Sequence, residues 1–440
     1  MKLVAVWSAL KQIIIVLGLS FVGTASTLLP AALYKLLEYL ESIQMFVPVM
    51  GGVTTVICVI TLLDTTLSRL KHKGATPNVP RVYGSIMTQF LVLFGLYLGV
   101  MSALLHATRW FFHQVRMDVL LTLGPAALLQ AMVVYCTNLI WFTCDWDGKE
   151  KMRKKIQQRY GNIFLMSLTL VGPLSVVAAL FTLSIIPMSE LIRFWLDQDP
   201  LSNFELVVLT IGAKVLKTLL CQAGTAMIFR STRSRFQRVF VTNLMVYLIT
   251  LYCDSVLRVW MTAEVVYKIE THNYGRVFLM SVVLGGCEVF ARWAFAFYDR
   301  LKAKRAKNKI KSSSKEAEML VQQQQVRRET LLAKINSALV AEYLSIGLSI
   351  IILLWFPSSP GTYFYQFEDK TQDWMAIAII PFGTELVTDF ISILGLDIFF
   401  HIRLVDGVES FNRMFYCSQI AVASMSVFAV VLASAMSIDG

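Results

Sequence analysis

The segment from Trp374 to Ile402 combines an apolar composition with three carboxylates, Glu385, Asp389 and Asp397. It is long enough to cross a bilayer as a helix. A charged side chain at the centre of a membrane helix costs about 2.5–3.5 kcal/mol on insertion scales, so it normally faces protein or water. Glu385 and Asp389 are four residues apart and therefore share one helix face. The pattern predicts a polar site within a membrane, where a cation, a proton or polar groups balance the carboxylates.

Pro381 and Gly383 lie just before the first two carboxylates and predict a break in the helix. A broken helix exposes backbone carbonyls, as the discontinuous helices of transporters do at their binding sites. Glu385 and Asp389 are therefore the first candidates for binding a cation or a proton.

Other apolar segments also carry charged residues, which are Lys214, Lys217, Asp254, Arg258, Glu288, Arg292 and Glu342. Asp254 and Arg258 have the i,i+4 spacing at which opposite charges pair along one helix. Glu288 and Arg292 have the same spacing. We therefore expect each of these two pairs to neutralise itself on its own helix, as part of an ion-pair network.

Two lysines and three carboxylates remain without an opposite charge at helical spacing. Because unpaired ions are costly inside a membrane, we expect Lys214 and Lys217 to face Glu342, Glu385 and Asp389. These five residues are the predicted substrate- or ion-binding set. The whole set has four bases and five acids, so the excess acid could be a titrating group or a cation site. Buried ion pairs can also serve only to fix the register of helices.

The composition indicates an integral membrane protein. The chain has 440 residues, of which 56% are hydrophobic and only 16% charged, below the quarter that is typical of soluble domains. The predicted fold class is all-α, a polytopic membrane helix bundle with about eleven transmembrane helices, or ten if the first is cleaved or lies in the interface. The predicted spans are 12–34, 44–68, 84–107, 117–142, 161–189, 204–229, 239–266, 277–299, 335–356, 374–401 and 413–437.

The distribution of charge divides the chain into four regions. Residues 1–190 are predicted to form apolar scaffold helices, and residues 200–299 to form charged helices. Residues 300–334 are predicted to be a cytoplasmic loop, basic at first and then helical, and residues 335–440 to form the last helices. Lysine and arginine concentrate in alternate loops, which predicts a cytoplasmic N-terminus and an extracellular or lumenal C-terminus.

The net charge of +11 arises mostly from these short loops, so it indicates membrane topology rather than nucleic-acid binding. The basic run from Arg300 to Lys315 is expected to attract anionic lipid headgroups. The helical segment 315–334 could bind a cytoplasmic protein. The lipid bilayer itself is the main expected partner.

No catalytic or metal-binding motif stands out, and the seven cysteines lack the spacing of a zinc site or a disulfide framework. We therefore expect neither an enzyme nor a cofactor. The leading interpretation is a channel or transporter that moves an ion or a small polar solute through the C-terminal half. One alternative is a lipid scramblase or another lipid-handling protein. Another is a receptor or scaffold whose buried ion pairs are purely structural.

Overall fold

The computed structural model describes residues 2–40, 46, 49–57, 59–60, 79–111, 117–143, 148–196, 202–231, 235–263, 274–309, 314–356, 375–402, 404 and 413–435. Over these residues the secondary structure is helical and contains no strand. The all-α fold class is therefore confirmed for the described part of the chain.

The helices are α1 (Lys2–Ser26), α2 (Leu28–Tyr39), α3 (Val79–Phe111), α4 (Met117–Thr143), α5 (Lys149–Tyr160), α6 (Ile163–Leu196), α7 (Asn203–Ser231), α8 (Arg235–Ala263), α9 (Tyr274–Lys309), α10 (Ser314–Trp355), α11 (Ile380–Phe400) and α12 (Arg413–Ala435). A π-helical turn, Met375–Ile379, leads directly into α11. Residues 49–57 are helical as well.

Among the described residues, eight helical segments are long and apolar enough to cross a membrane, and they indicate an integral, multi-pass membrane protein. They are Val4–Tyr39, Val82–Ala103, Gly124–Phe142, Ile163–Met188, Arg238–Thr262, Tyr274–Leu301, Gln325–Trp355 and Ile377–Phe400. The predicted count of about eleven is not confirmed. The predicted span 44–68 falls mostly outside the described residues. Helix α7 forms as predicted, but Lys214 and Lys217 lower its apolar character, and the described apolar part of α12 is short.

The chain divides into two compact units, and the second of them is Leu29–Thr182. Its core lies between α3 and α4, where Phe90, Leu128 and Met132 are buried among other apolar side chains. Among the described residues of this unit, the buried side chains include serine and threonine hydroxyls, the Tyr34 phenol and the Cys136 thiol, but no acid, lysine or arginine. The described core of this unit is therefore mainly apolar.

The other unit comprises Met1–Leu28 and Leu183–Gly440. Helices α8 and α10 form its centre, since 89% of the apolar membrane-spanning stretch of α8 is buried and 72% of that of α10. Helix α8 packs mainly on α10, α7 and α12, while α9 packs on α11 and α7. Helix α1 packs on α10, α12 and α11. Five of these helices, α7 to α11, carry all the charged residues of the predicted site.

Local sequence signals explain where two of these helices begin. Helix α7 starts after a capping box, in which the Glu205 carboxylate accepts hydrogen bonds from the Ser202 backbone N–H at 2.8 Å and from its hydroxyl at 2.7 Å. Pro381 lies in the first turn of α11, where its missing N–H costs no helical hydrogen bond. The change of helix type therefore precedes Pro381, and Gly383 lies inside regular α-helix.

Candidate functional site

The nine charged residues predicted from the sequence come together in one buried network. Each of them is at most 5% exposed. They are Lys214 and Lys217 from α7, Asp254 and Arg258 from α8, Glu288 and Arg292 from α9, Glu342 from α10, and Glu385 and Asp389 from α11. The members on α7, α9 and α11 lie near the middle of their helices, so the network joins the five helices well inside the bundle.

One half of the network, the lysine cluster, consists of two lysines and two acids. Lys214 Nζ donates to Asp254 Oδ1 at 2.7 Å, and Lys217 Nζ lies 3.2 Å from Asp254 Oδ2. Both lysines also donate to Glu288 Oε1. Two positive and two negative side chains balance, so this cluster is neutral when all four are ionised.

The other half, the arginine cluster, consists of two arginines and three acids. Arg258 Nη2 donates to Glu385 Oε2 at 2.5 Å. Arg292 Nη1 donates to Asp389 Oδ1 at 2.5 Å, and its Nη2 donates to Glu342 Oε2. With all five side chains ionised, this cluster carries one excess negative charge. The excess acid predicted from the sequence is therefore located here.

The predicted pairing along single helices is wrong. Asp254 binds the two lysines, while Arg258, one turn further along α8, reaches α11. In the same way, Glu288 binds the lysines of α7, while Arg292 binds Glu342 of α10 and Asp389 of α11. A shared helix face brings two side chains near each other, but longer side chains reach the opposite charges that neighbouring helices offer.

The predicted partners of the lysines are wrong for the same reason. Lys214 and Lys217 bind Asp254 and Glu288 rather than Glu342 or the carboxylates of α11. Helix α7 packs on α8 and α9, which place their acids between α7 and the centre of the unit. The arginines of α8 and α9 form ion pairs with the remaining carboxylates, Glu342, Glu385 and Asp389.

Each carboxylate of the arginine cluster keeps one buried oxygen without a hydrogen-bond partner: Glu342 Oε1, Glu385 Oε1 and Asp389 Oδ2. One oxygen from each of the three side chains lies within 4.8 Å of the others. Two full negative charges at that distance repel by about 3–4 kcal/mol at an effective dielectric constant of about 20. The spacing of the oxygens would suit a metal ion, but two guanidinium groups already neutralise two of the three charges.

Glu342 belongs to both halves of the network. One of its oxygens also lies within 4.8 Å of oxygens of Asp254 and Glu288. The lysine and arginine clusters are therefore separated only by this one carboxyl group, which is fully buried on α10.

A polar seam, which we define as a series of buried polar residues along α8 and α10, extends the network along the helices. Its α8 side is Asn243, Thr250, Asp254, Arg258 and Thr262, and its α10 side is Thr330, Lys334, Ser337, Glu342, Ser345 and Ser349, all buried. Ser337 Oγ donates to Asn243 Oδ1 at 3.0 Å, and Arg258 Nε donates to Ser345 Oγ at 2.8 Å. From Thr330 to Ser349 the α10 side is roughly 28 Å long at the usual helical rise, close to the thickness of a bilayer's hydrocarbon core.

Several residues at one end of this region are not predicted by the charge pattern. Gln12 of α1 donates to Asn336 Oδ1 at 2.6 Å, and Lys334 Nζ lies 3.9 Å from the centre of the Phe295 ring. The signal for such residues is a polar side chain recurring every three or four positions within an apolar helix. It is weaker than the signal from a charge because serine, asparagine and glutamine are ordinary in membrane helices.

No protein-family model matches this chain, and neither curated proteins nor solved structures give a match.

Proposed function

We propose that this protein is a multi-pass membrane channel or transporter whose path follows the polar seam and whose transported or coupling ion is a proton. The observation that carries the proposal is the excess carboxylate in the buried arginine cluster. A buried cluster with three acids and two bases is most stable when it binds one more positive charge.

A proton fits this position better than a metal ion does. Calcium takes six to eight oxygen ligands, and magnesium keeps several waters around it. Arg258 and Arg292 lie against the carboxylates that would have to supply those ligands, and they would repel a metal cation. A proton needs a single oxygen, and each of the three carboxylates has one oxygen without a partner.

The polar seam supplies the rest of a path. Its hydroxyl, amide and charged groups repeat along α10 over a length close to the thickness of a membrane core. Two of its buried groups, Asn243 Nδ2 and Arg258 Nη1, have no hydrogen-bond partner among the described residues. Such groups are the usual binding partners of internal water, and water chains conduct protons between them.

Proton flux into liposomes tests the proposal. The purified protein is reconstituted with a pH-sensitive dye inside the vesicles, and a potassium gradient with valinomycin supplies the driving potential. The double variant E385Q/D389N is expected to reduce the flux about tenfold or more. The matched control is E150Q, which removes an exposed carboxylate on α5. Equal flux through the wild type and E385Q/D389N would contradict the proposal, and so would no flux above empty vesicles.

A receptor or scaffold is the second candidate, since every charged side chain of the network has at least one ion-pair partner. It predicts that wild-type vesicles show no proton flux. Lipid scrambling requires a charged groove open to lipid, and the nine charged residues are at most 5% exposed. A fluorescent-lipid assay in the same vesicles tests scrambling directly.

We also propose that the N-terminus is cytoplasmic and that the C-terminus lies on the opposite side. Helix α5, with the sequence KEKMRKKIQQRY, is a mainly exposed basic helix, as a cytoplasmic loop would supply. On the same side, the Arg300–Lys315 run would bind anionic lipid and the 315–334 segment a cytoplasmic protein. Labelling single cysteines introduced into α5 with an impermeant reagent, from either side of the membrane, tests the orientation.

A further inference from the structure

We propose that Glu342 is held as the neutral carboxylic acid at neutral pH and is the residue that binds the proton of the network. The inference identifies the proton site of the proposed function, and the transport part of it rests on that function. Its protonation part stands on the geometry of the two clusters alone.

Glu342 is surrounded by more acids than any other member of the network. The charged groups near it are Asp254 and Arg258 from α8, Glu288 and Arg292 from α9, Lys217 from α7, and Glu385 and Asp389 from α11. Helix α1, which also packs on α10, meets this region through neutral groups: Ser20 donates to the Val340 carbonyl, and Thr24 lies against Gly347. Four carboxylates therefore have an oxygen within 4.8 Å of a Glu342 oxygen, and one base, Arg292, forms an ion pair with Glu342.

The pairing of the other charges excludes Glu385 as the neutral acid and is consistent with Glu342. If Glu342 is neutral, Lys214 and Lys217 balance Asp254 and Glu288, and each arginine keeps one carboxylate. Arg258 then pairs with Glu385, and Arg292 pairs with Asp389. Protonating Glu385 instead would leave Arg258 without an anion and Arg292 with two. A neutral Asp389 would also leave every base paired and both clusters without net charge, because Arg292 contacts Glu342 as well. Asp389 has two acids within 4.8 Å, Glu342 and Glu385, whereas Glu342 has four, so Glu342 is the more favourable place for the proton.

The hydrogen bonds of Glu342 also suit a carboxylic acid. Arg292 Nη2 donates to Oε2, which takes the part of the carbonyl oxygen. Oε1 is buried and accepts no hydrogen bond, so it is free to carry the proton. The O–H would then donate towards one of the neighbouring carboxylates. Since acids of both clusters lie close, the proton can pass from Glu342 to an acceptor in either cluster.

Substitution by glutamine distinguishes a neutral from an ionised Glu342, because glutamine mimics the acid but not the carboxylate. We expect E342Q to leave the thermal unfolding midpoint of the detergent-solubilised protein unchanged. E385Q should lower it by about 5 °C or more, because it leaves the buried Arg258 without its anion, whereas in D389N Arg292 keeps Glu342. A midpoint of E342Q that falls as far as that of E385Q would overturn the inference, as would failure of E342Q to fold.

Infrared spectroscopy supplies a second measurement that does not depend on a fall in stability. At neutral pH the wild type should show the carbonyl band of a protonated carboxyl group that E342Q lacks and that E150Q, the exposed control, retains. The absence of such a difference would overturn the inference. If the band is present but E342Q conducts protons as the wild type does, Glu342 is protonated yet outside the path, and only the transport part fails.

Discussion

Replacing Arg292 by glutamine should expose how strongly the arginine cluster depends on charge balance. Arg292 donates to Asp389 at 2.5 Å and to Glu342, and both carboxylates are at most 1% exposed. Removing one member of a buried ion pair costs about 3–5 kcal/mol, mainly because the other charge remains buried. We therefore expect R292Q to lower the free energy of unfolding by about that amount.

A second substitution should restore much of this loss. In R292Q/D389N the carboxylate that lost its base is itself neutralised, and the pair Arg258–Glu385 is untouched. We expect the double variant to be more stable than R292Q, because Asp389 is then no longer a buried charge without its base. The coupling energy should reach about 1–3 kcal/mol, the range of residues that interact directly.

The assay is a double-mutant cycle on the detergent-solubilised protein, with unfolding followed by tryptophan fluorescence. R292Q/E150Q is the matched control, because Glu150 is an exposed carboxylate of α5 outside the network. Its two changes should add with little coupling. If R292Q and D389N also add independently, the ion pair between α9 and α11 does not contribute as the geometry requires, and the reasoning fails.

Two further variants test the packing around the network. A Cβ added at Gly285 would meet the Thr388 side chain at 2.6 Å, so G285A should lower the free energy of unfolding by about 1–3 kcal/mol. G286A is the control, because a Cβ there would meet nothing within 4 Å. Equal melting points of the two variants would refute a close approach of α9 to α11. Q12A removes a buried hydrogen bond between α1 and α10 and should cost about 1 kcal/mol, unlike I14A, which alters a side chain that is 69% exposed. If α1 were removed by cleavage, Q12A would not change the stability of the protein. Mass spectrometry of the purified protein shows whether α1 is present.

The membership of the network could be predicted from the sequence, because a charge within an apolar helix must be buried with a partner. The excess of one acid follows from the same count. The partners could not be predicted, since residues four apart share a face without revealing which neighbouring helix that face meets. Asp254 and Arg258 illustrate this, because they lie on adjacent turns of α8 but form ion pairs with different helices, α7 and α11.

The number of spans was harder to predict than the helices themselves. Helix α7 forms over the predicted range, yet two lysines make its composition intermediate between a membrane helix and a buried one. The residues of the seam were also missed. Ser337 and Ser345 have small polar side chains whose role depends on what α8 places opposite them, and the sequence of α10 alone does not contain that information.

The two ends of α11 differ in how firmly they are held. At its C-terminal end His401 adopts a left-handed conformation, Ile402 N–H donates to the Leu396 carbonyl, and Arg300 donates to the Phe399 carbonyl at 3.1 Å. The opposite end runs into a π-helical turn, where the backbone ladder changes its spacing. We expect any shift of α11 between acidic and neutral pH to be larger towards Met375 than at His401, where these hydrogen bonds hold the backbone. Spin labels at its two ends should report larger distance changes at the π-helical end, and equal changes would contradict this expectation.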